Sequence, residues 1–131
     1  MSTSARPLSP HLQVYRWQIQ MVTSILHRIT GVALAVGTLL LAALLISLAA
    51  GPQAYAAVRG FCGSWIGMLL LLGWTWSLAF HFVNGIRHLL QDAVLGYTIP
   101  QFVRNSWLSV IGSLLLTAVI WACLFLCGGA P

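Results

Sequence analysis

The stretch His81-Phe-Val-Asn-Gly-Ile-Arg-His-Leu-Leu-Gln-Asp92 gathers two histidines, an arginine and the chain's only acid at the end of a run without formal charge from Phe61 to Ile86. Such a run is long enough to cross a bilayer, whose hydrocarbon core takes about 20 apolar residues as a helix. Ionisable groups inside a span are costly and mark a functional site by default. His81 and His88 are seven residues apart, close to two helical turns, so both rings project from one face. Gly85 lies one turn from His81 on that face. Without a side chain there, something flat and bulky can come close to the backbone. The pattern suits a histidine that holds a metal through a ring nitrogen, beside a slot that could admit a porphyrin edge. The alternative is that both histidines only hydrogen-bond to neighbouring helices, as intramembrane polar groups often do.

Moving outward, the whole chain has the same character. Across 131 residues, 60% are hydrophobic and 5% charged, with a mean hydropathy of +0.93. That composition is far outside the soluble range and marks a single, all-α integral membrane protein. All six positive charges are arginines scattered singly, and the net charge of +5 reflects scarce acids, so nucleic-acid binding has little support. Cys62, Cys123 and Cys127 sit in or beside apolar runs and are expected to be buried small residues rather than a disulfide framework or a zinc site. Met1 to Pro10 contains neither an apolar signal core nor an arginine-rich presequence, so the chain is expected to begin with its mature segment.

Residues 1–20 read as a polar lead, with Pro7 and Pro10 opposing a continuous helix and Tyr15 and Trp17 suited to an interfacial aromatic belt. Residues 21–131 then form a three-span domain, with spans expected at about 22–50, 61–90 and 105–128. Gly51-Pro52 ends the first span, a short loop leads to Gly60, and a second loop runs from Asp92 through Pro100 to Arg104. Arg6, Arg16, Arg28, Arg87 and Arg104 flank the spans on one side, and Arg59 stands alone on the other. The positive-inside rule puts the N-terminus in the cytoplasm and the C-terminus opposite.

In this topology the first helix starts where the second ends, which brings Ser24, His27 and Arg28 to the membrane level of His81, Arg87 and His88. His81 precedes Arg87 by six residues, so it lies roughly 9 Å deeper. Ser24 and Arg28 are spaced i, i+4, and their hydroxyl and guanidinium can donate together to a carbonyl oxygen or an anion held between helices. The alternative is a helix start, with Thr23 or Ser24 near the cap and Arg28 snorkelling to head groups. Arg28 and Arg87 would also suit the carboxylates of a haem. A six-coordinate haem needs a second ligand, and His27 lies near the interface, so that ligand is expected from another chain, in a hetero-oligomer or a homodimer. Asp92 is read as pairing with Arg87 or anchoring its helix end rather than transferring protons. The sequence has no nucleophile–base–acid constellation and no phosphate-cradling glycine loop, so any redox chemistry must be fed by a partner.

Three segments together, Arg6-Pro-Leu-Ser-Pro-His-Leu-Gln-Val-Tyr15, Ser24-Ile-Leu-His-Arg-Ile-Thr-Gly31 and His81 to Asp92, resemble the cytochrome b membrane-anchor subunits of succinate dehydrogenase, respiratory complex II. The likeness spans nearly the whole chain. It implies half of a heterodimeric haem-binding helical bundle, in which His81 is an axial ligand to haem b and a histidine of the small anchor subunit is the other. It implies that Ser24 and Arg28 help form the ubiquinone pocket beside the iron-sulfur subunit. His27 and Arg28 would lie near the haem propionates, and His88 in the polar haem surroundings. A flavoprotein subunit with FAD would oxidise succinate, and iron-sulfur clusters would pass electrons to quinone. The early start resembles a bacterial member, which implies the inner membrane with a periplasmic C-terminus. A relative working chiefly as fumarate reductase would carry the same anchor, because the dicarboxylate chemistry lies elsewhere. Two rival readings remain open on the residues alone: a purely structural anchor without haem, and a small transporter whose histidines and arginines line a polar path.

Overall fold

The computed structural model of the chain describes residues 15–128. The expected lead therefore lies outside the described residues up to position 14, including Arg6 and the two prolines. Tyr15 to Gln18 is not helical, and the first helix, α1, runs Ile19–Ala50. It is followed by α2 (Pro52–Gly63), α3 (Trp65–Asp92) and α4 (Ile99–Leu126). α1, α3 and α4 are each long and apolar enough to cross a membrane. This is an all-α integral membrane fold with three transmembrane helices.

Two expected loops are helical instead. Gly51 takes φ +115° and ends α1, but Pro52 then opens α2 at its first turn, where a fixed φ and a missing N–H cost nothing. Ala54, Ala56 and Ala57 extend it with the best helix-forming side chain. The break falls at Ser64, whose side chain accepts from the Gly67 amide at 3.2 Å and caps α3. Gly67 is required there because a Cβ would overlap the Phe61 carbonyl of α2. Pro100 acts likewise at the start of α4, so the residues from Ile99 to Arg104 are helix rather than loop.

The interior of this bundle is polar. Among the described residues the buried apolar side chains are Ala79 and Phe80, whereas Thr23, Thr30, Ser77, Asn84 and Arg87 are buried on the inner faces of α1 and α3. The inner face of α4 carries Ser106, Ser109, Ser113 and Thr117. Each of these four hydroxyls donates to a carbonyl of its own helix at 2.8–3.0 Å, which satisfies the group without a partner helix. Small, self-bonded residues let α4 approach α3 closely, the usual solution where lipid removes any hydrophobic drive for association. Gly37 does the same for α1, since a Cβ there would overlap the Trp74 indole of α3.

The large side chains face outward. Val32, Val36, Leu39, Leu69, Leu115 and many others are more than half exposed, as a lipid-facing surface requires. Cys123 and Cys127 belong to this outer surface and Cys62 is half-buried. That corrects the expectation that all three are buried small residues: among the described residues no helix packs against the end of α4 that carries Cys123 and leads into Cys127.

Candidate functional site

Antiparallel packing of α1 and α3 brings the two histidine-bearing motifs together. The rings of His27 and His81 stack with centroids 3.9 Å apart and planes 10° from parallel. His88 stands tilted against His27 at 5.1 Å. His27 therefore lies at the same level of the bundle as His81. The charge-free run begins at Ile29, but the helix begins at Ile19, which sets His27 about two turns inside it. For the same reason Thr23 and Ser24 are not caps. Gln18 occupies the cap position, without a side-chain hydrogen bond.

Each side chain is held by short, local chemistry. His81 Nδ1 lies 3.2 Å from the His27 carbonyl oxygen and 3.3 Å from Thr30 Oγ1. A carbonyl only accepts, so Nδ1 carries the proton and Nε2 keeps its lone pair. Thr30 spends its own proton on the carbonyls of Leu26 and His27 at 2.8 and 3.0 Å, leaving its oxygen to accept from His81. Gly31 makes room for the ring, since a Cβ there would come within 3.2 Å of His81 Cε1. A Cβ on Gly85 would meet nothing within 4 Å, so that face of α3 is open beside His81. A ring nitrogen bonds a metal in the plane of its ring, so the His27 ring stacked on the face of His81 does not obstruct Nε2. His27 Nδ1 is buried and has no partner among the described residues, which leaves a donor or acceptor open to a further group. Among the described residues, no three histidine, cysteine or acidic side chains converge on a metal position. A metal at His81 would be held by this chain through one ligand.

Ser24 and Arg28 lie on α1 beyond His27; Ser24 is half-buried and Arg28 exposed. Among the described residues, neither side chain makes a hydrogen bond to another helix. Arg87 is different from its expected role. At about 100° per residue it sits roughly 120° around α3 from His81, turned toward α4 and buried at 6% exposure. Its Nη1 donates to Asn84 Oδ1 at 2.7 Å and Thr23 Oγ1 at 3.2 Å, and its guanidinium lies 4.8 Å above the Phe102 ring. It ties three helices together and bonds those neutral groups rather than Asp92, which is exposed. Position near a helix end suggested a flanking charge, but the i, i+3, i+7 spacing of Asn84, Arg87 and Gln91 was the available sign of a buried polar stripe.

Three spans, with histidines from two of them stacked at one level, define a small polytopic membrane protein with an imidazole cluster between two helices. Comparison with known proteins narrows the class. Residues 2–122 match the family described as the succinate dehydrogenase/fumarate reductase transmembrane subunit. The chain is 41% identical to the succinate dehydrogenase cytochrome b556 subunit of Paracoccus denitrificans, covering 87% of this chain and 88% of that one. It is 39% identical to the same subunit of Rickettsia prowazekii, covering 88% and 90%. It is 38% identical to the mitochondrial cytochrome b560 subunit of Sus scrofa, covering 78% and 62%. The chain belongs to the succinate dehydrogenase/fumarate reductase transmembrane subunit family.

Proposed function

We propose that the chain is the large membrane anchor of a succinate dehydrogenase, holding one side of a haem b and one wall of a ubiquinone pocket. The observation that carries this reading is the arrangement of His81, with Nδ1 bonded to the His27 carbonyl and Nε2 unbonded among the described residues. A metal-bound histidine characteristically has its second nitrogen fixed in this way. The open face at Gly85 and the unpartnered Nδ1 of His27 fit a flat group with polar edges. His27 and Arg28 would hold the haem carboxylates, His88 would contribute to the polar surroundings, and a histidine of the small anchor subunit would complete the iron. When bound, the haem supplies a one-electron store beside the quinone.

The remaining chemistry belongs to the chain's own residues. Arg28, always charged, would stabilise negative charge developing on a quinone oxygen, and Ser24 would donate a hydrogen bond to it. Electrons would arrive from an iron-sulfur subunit fed by a flavoprotein with FAD, with the N-terminus of this chain on the cytoplasmic side of a bacterial inner membrane and the C-terminus in the periplasm. Kinetics of the membrane complex test the pocket. Arg28→Ala should lower succinate:quinone reductase turnover by about ten- to a hundredfold, the loss of one charge-assisted hydrogen bond, and Ser24→Ala by about tenfold. Succinate oxidation by an artificial soluble acceptor should be unchanged. Normal quinone kinetics in both variants would remove these residues from the pocket.

A further inference from the structure

Arg87 is the one charged side chain buried in the interior among the described residues, and every partner it has is neutral. Its Nε is buried and unpartnered among those residues. The chain's single acid, Asp92, is exposed and lies about 140° around α3 from Arg87. A buried cation without a counter-charge is strongly unfavourable, so the site calls for an anion from outside the chain.

The structure provides room for one. A cavity of about 190 Å³ opens between α3 and α4, with Arg87, Asn105 and Ser109 inside and Ile86, Leu90 and Leu108 at its rim. The three rim side chains are 43%, 47% and 56% exposed, so the mouth opens onto the lipid-facing surface. Its depth is that of a head group. Arg87 is 22 residues from Trp65, about 33 Å along the helix, which matches a hydrocarbon core of about 30 Å. Trp65 at one end and Trp107 beside the pocket are 73% and 52% exposed, as interfacial tryptophans are. Arg104, also exposed, lies one turn before Leu108 on the same face of α4 and adds a second cation toward the aqueous side.

We propose that this pocket binds the phosphodiester of an anionic membrane phospholipid, received by the Arg87 guanidinium and the Asn105 amide, with the acyl chains lying along Ile86, Leu90 and Leu108. A planar guanidinium matches phosphate oxygens, and the apolar rim selects an anion that carries its own hydrocarbon. The occupant would neutralise Arg87 and so fix the joint among Thr23, Asn84 and Phe102.

The intact membrane complex, purified in mild detergent and stripped of lipid, can be titrated with phosphatidylglycerol in mixed micelles and read by native mass spectrometry. Arg87→Gln and Ile86→Trp should each weaken binding at least tenfold. Ile86→Trp fills the mouth and leaves the guanidinium in place, so its effect does not depend on folding around a lost charge. Arg87→Lys, which keeps the charge but loses the planar fork, should weaken binding less than Arg87→Gln does, and Arg59→Gln, at the other end of the spans, should change nothing. Diacylglycerol, which lacks the phosphate, and inorganic phosphate, which lacks the chains, should not occupy the site. Unchanged affinity in both test variants would overturn the proposal. So would equal retention of diacylglycerol, saturation by inorganic phosphate alone, or a carboxylate of another subunit on Arg87.

Discussion

His81 combines a protonated Nδ1, fixed on the His27 carbonyl at 3.2 Å, with an Nε2 that bonds no other side chain or carbonyl among the described residues. Thr30 is a second support for the same nitrogen at 3.3 Å. Thr30→Val keeps the shape of the side chain but removes the oxygen. It should leave any haem bound while making the ligand less electron-rich, seen as a positive shift of its midpoint potential in a redox titration; an unchanged potential would reduce Thr30 to packing. His27 and His81 stand out in the sequence because histidine is rare in so apolar a chain, and the structure stacks their rings. Thr30 does not, because threonine within a span looks like any helix residue that bonds its own backbone. Arg87 was legible as important but misplaced, since position near a helix end says nothing about which way a long side chain turns.

Among the elements, α3 was plain in the sequence as an apolar run closing in a polar motif, and α2 was hidden. Gly51-Pro52 reads equally as the end of one helix and the start of another, and only the packing of α2 against α1 and α3 decides between them. The inner stripe of α4 was also hidden, because four small hydroxyl residues barely alter the mean hydropathy of a span. These contacts make testable demands. Ser113→Ala should leave thermal stability of the detergent-solubilised protein within about 0.5 kcal/mol, since its hydroxyl bonds only the Val110 carbonyl. Ser113→Leu should destabilise by about 1–3 kcal/mol through overpacking against α3. Gly37→Leu should cost a similar amount by displacing Trp74. Equal effects of the alanine and leucine changes at position 113 would show that volume there is not limiting.

At the scale of the whole molecule, the chain has an apolar exterior and a polar interior, with its chemistry at one end. That end holds the start of α1, the end of α3 and the start of α4, together with Arg28, Arg87 and Arg104. Arg59 on α2 marks the other. In a background without native cysteines, Arg59→Cys should react with a membrane-impermeant maleimide in intact cells, and Arg104→Cys only after permeabilisation. The reverse pattern would invert the orientation. Among the described residues no three metal-ligating side chains converge, so a haem held through His81, as proposed above, would need a ligand from another chain. The most direct test is a reduced-minus-oxidised absorption spectrum of the purified membrane complex, with the unmodified chain beside His81→Ala. The first should show a low-spin b-type signal that is lost or becomes high-spin in the second. An identical low-spin signal in both would contradict this ligation, and would move the iron away from His81.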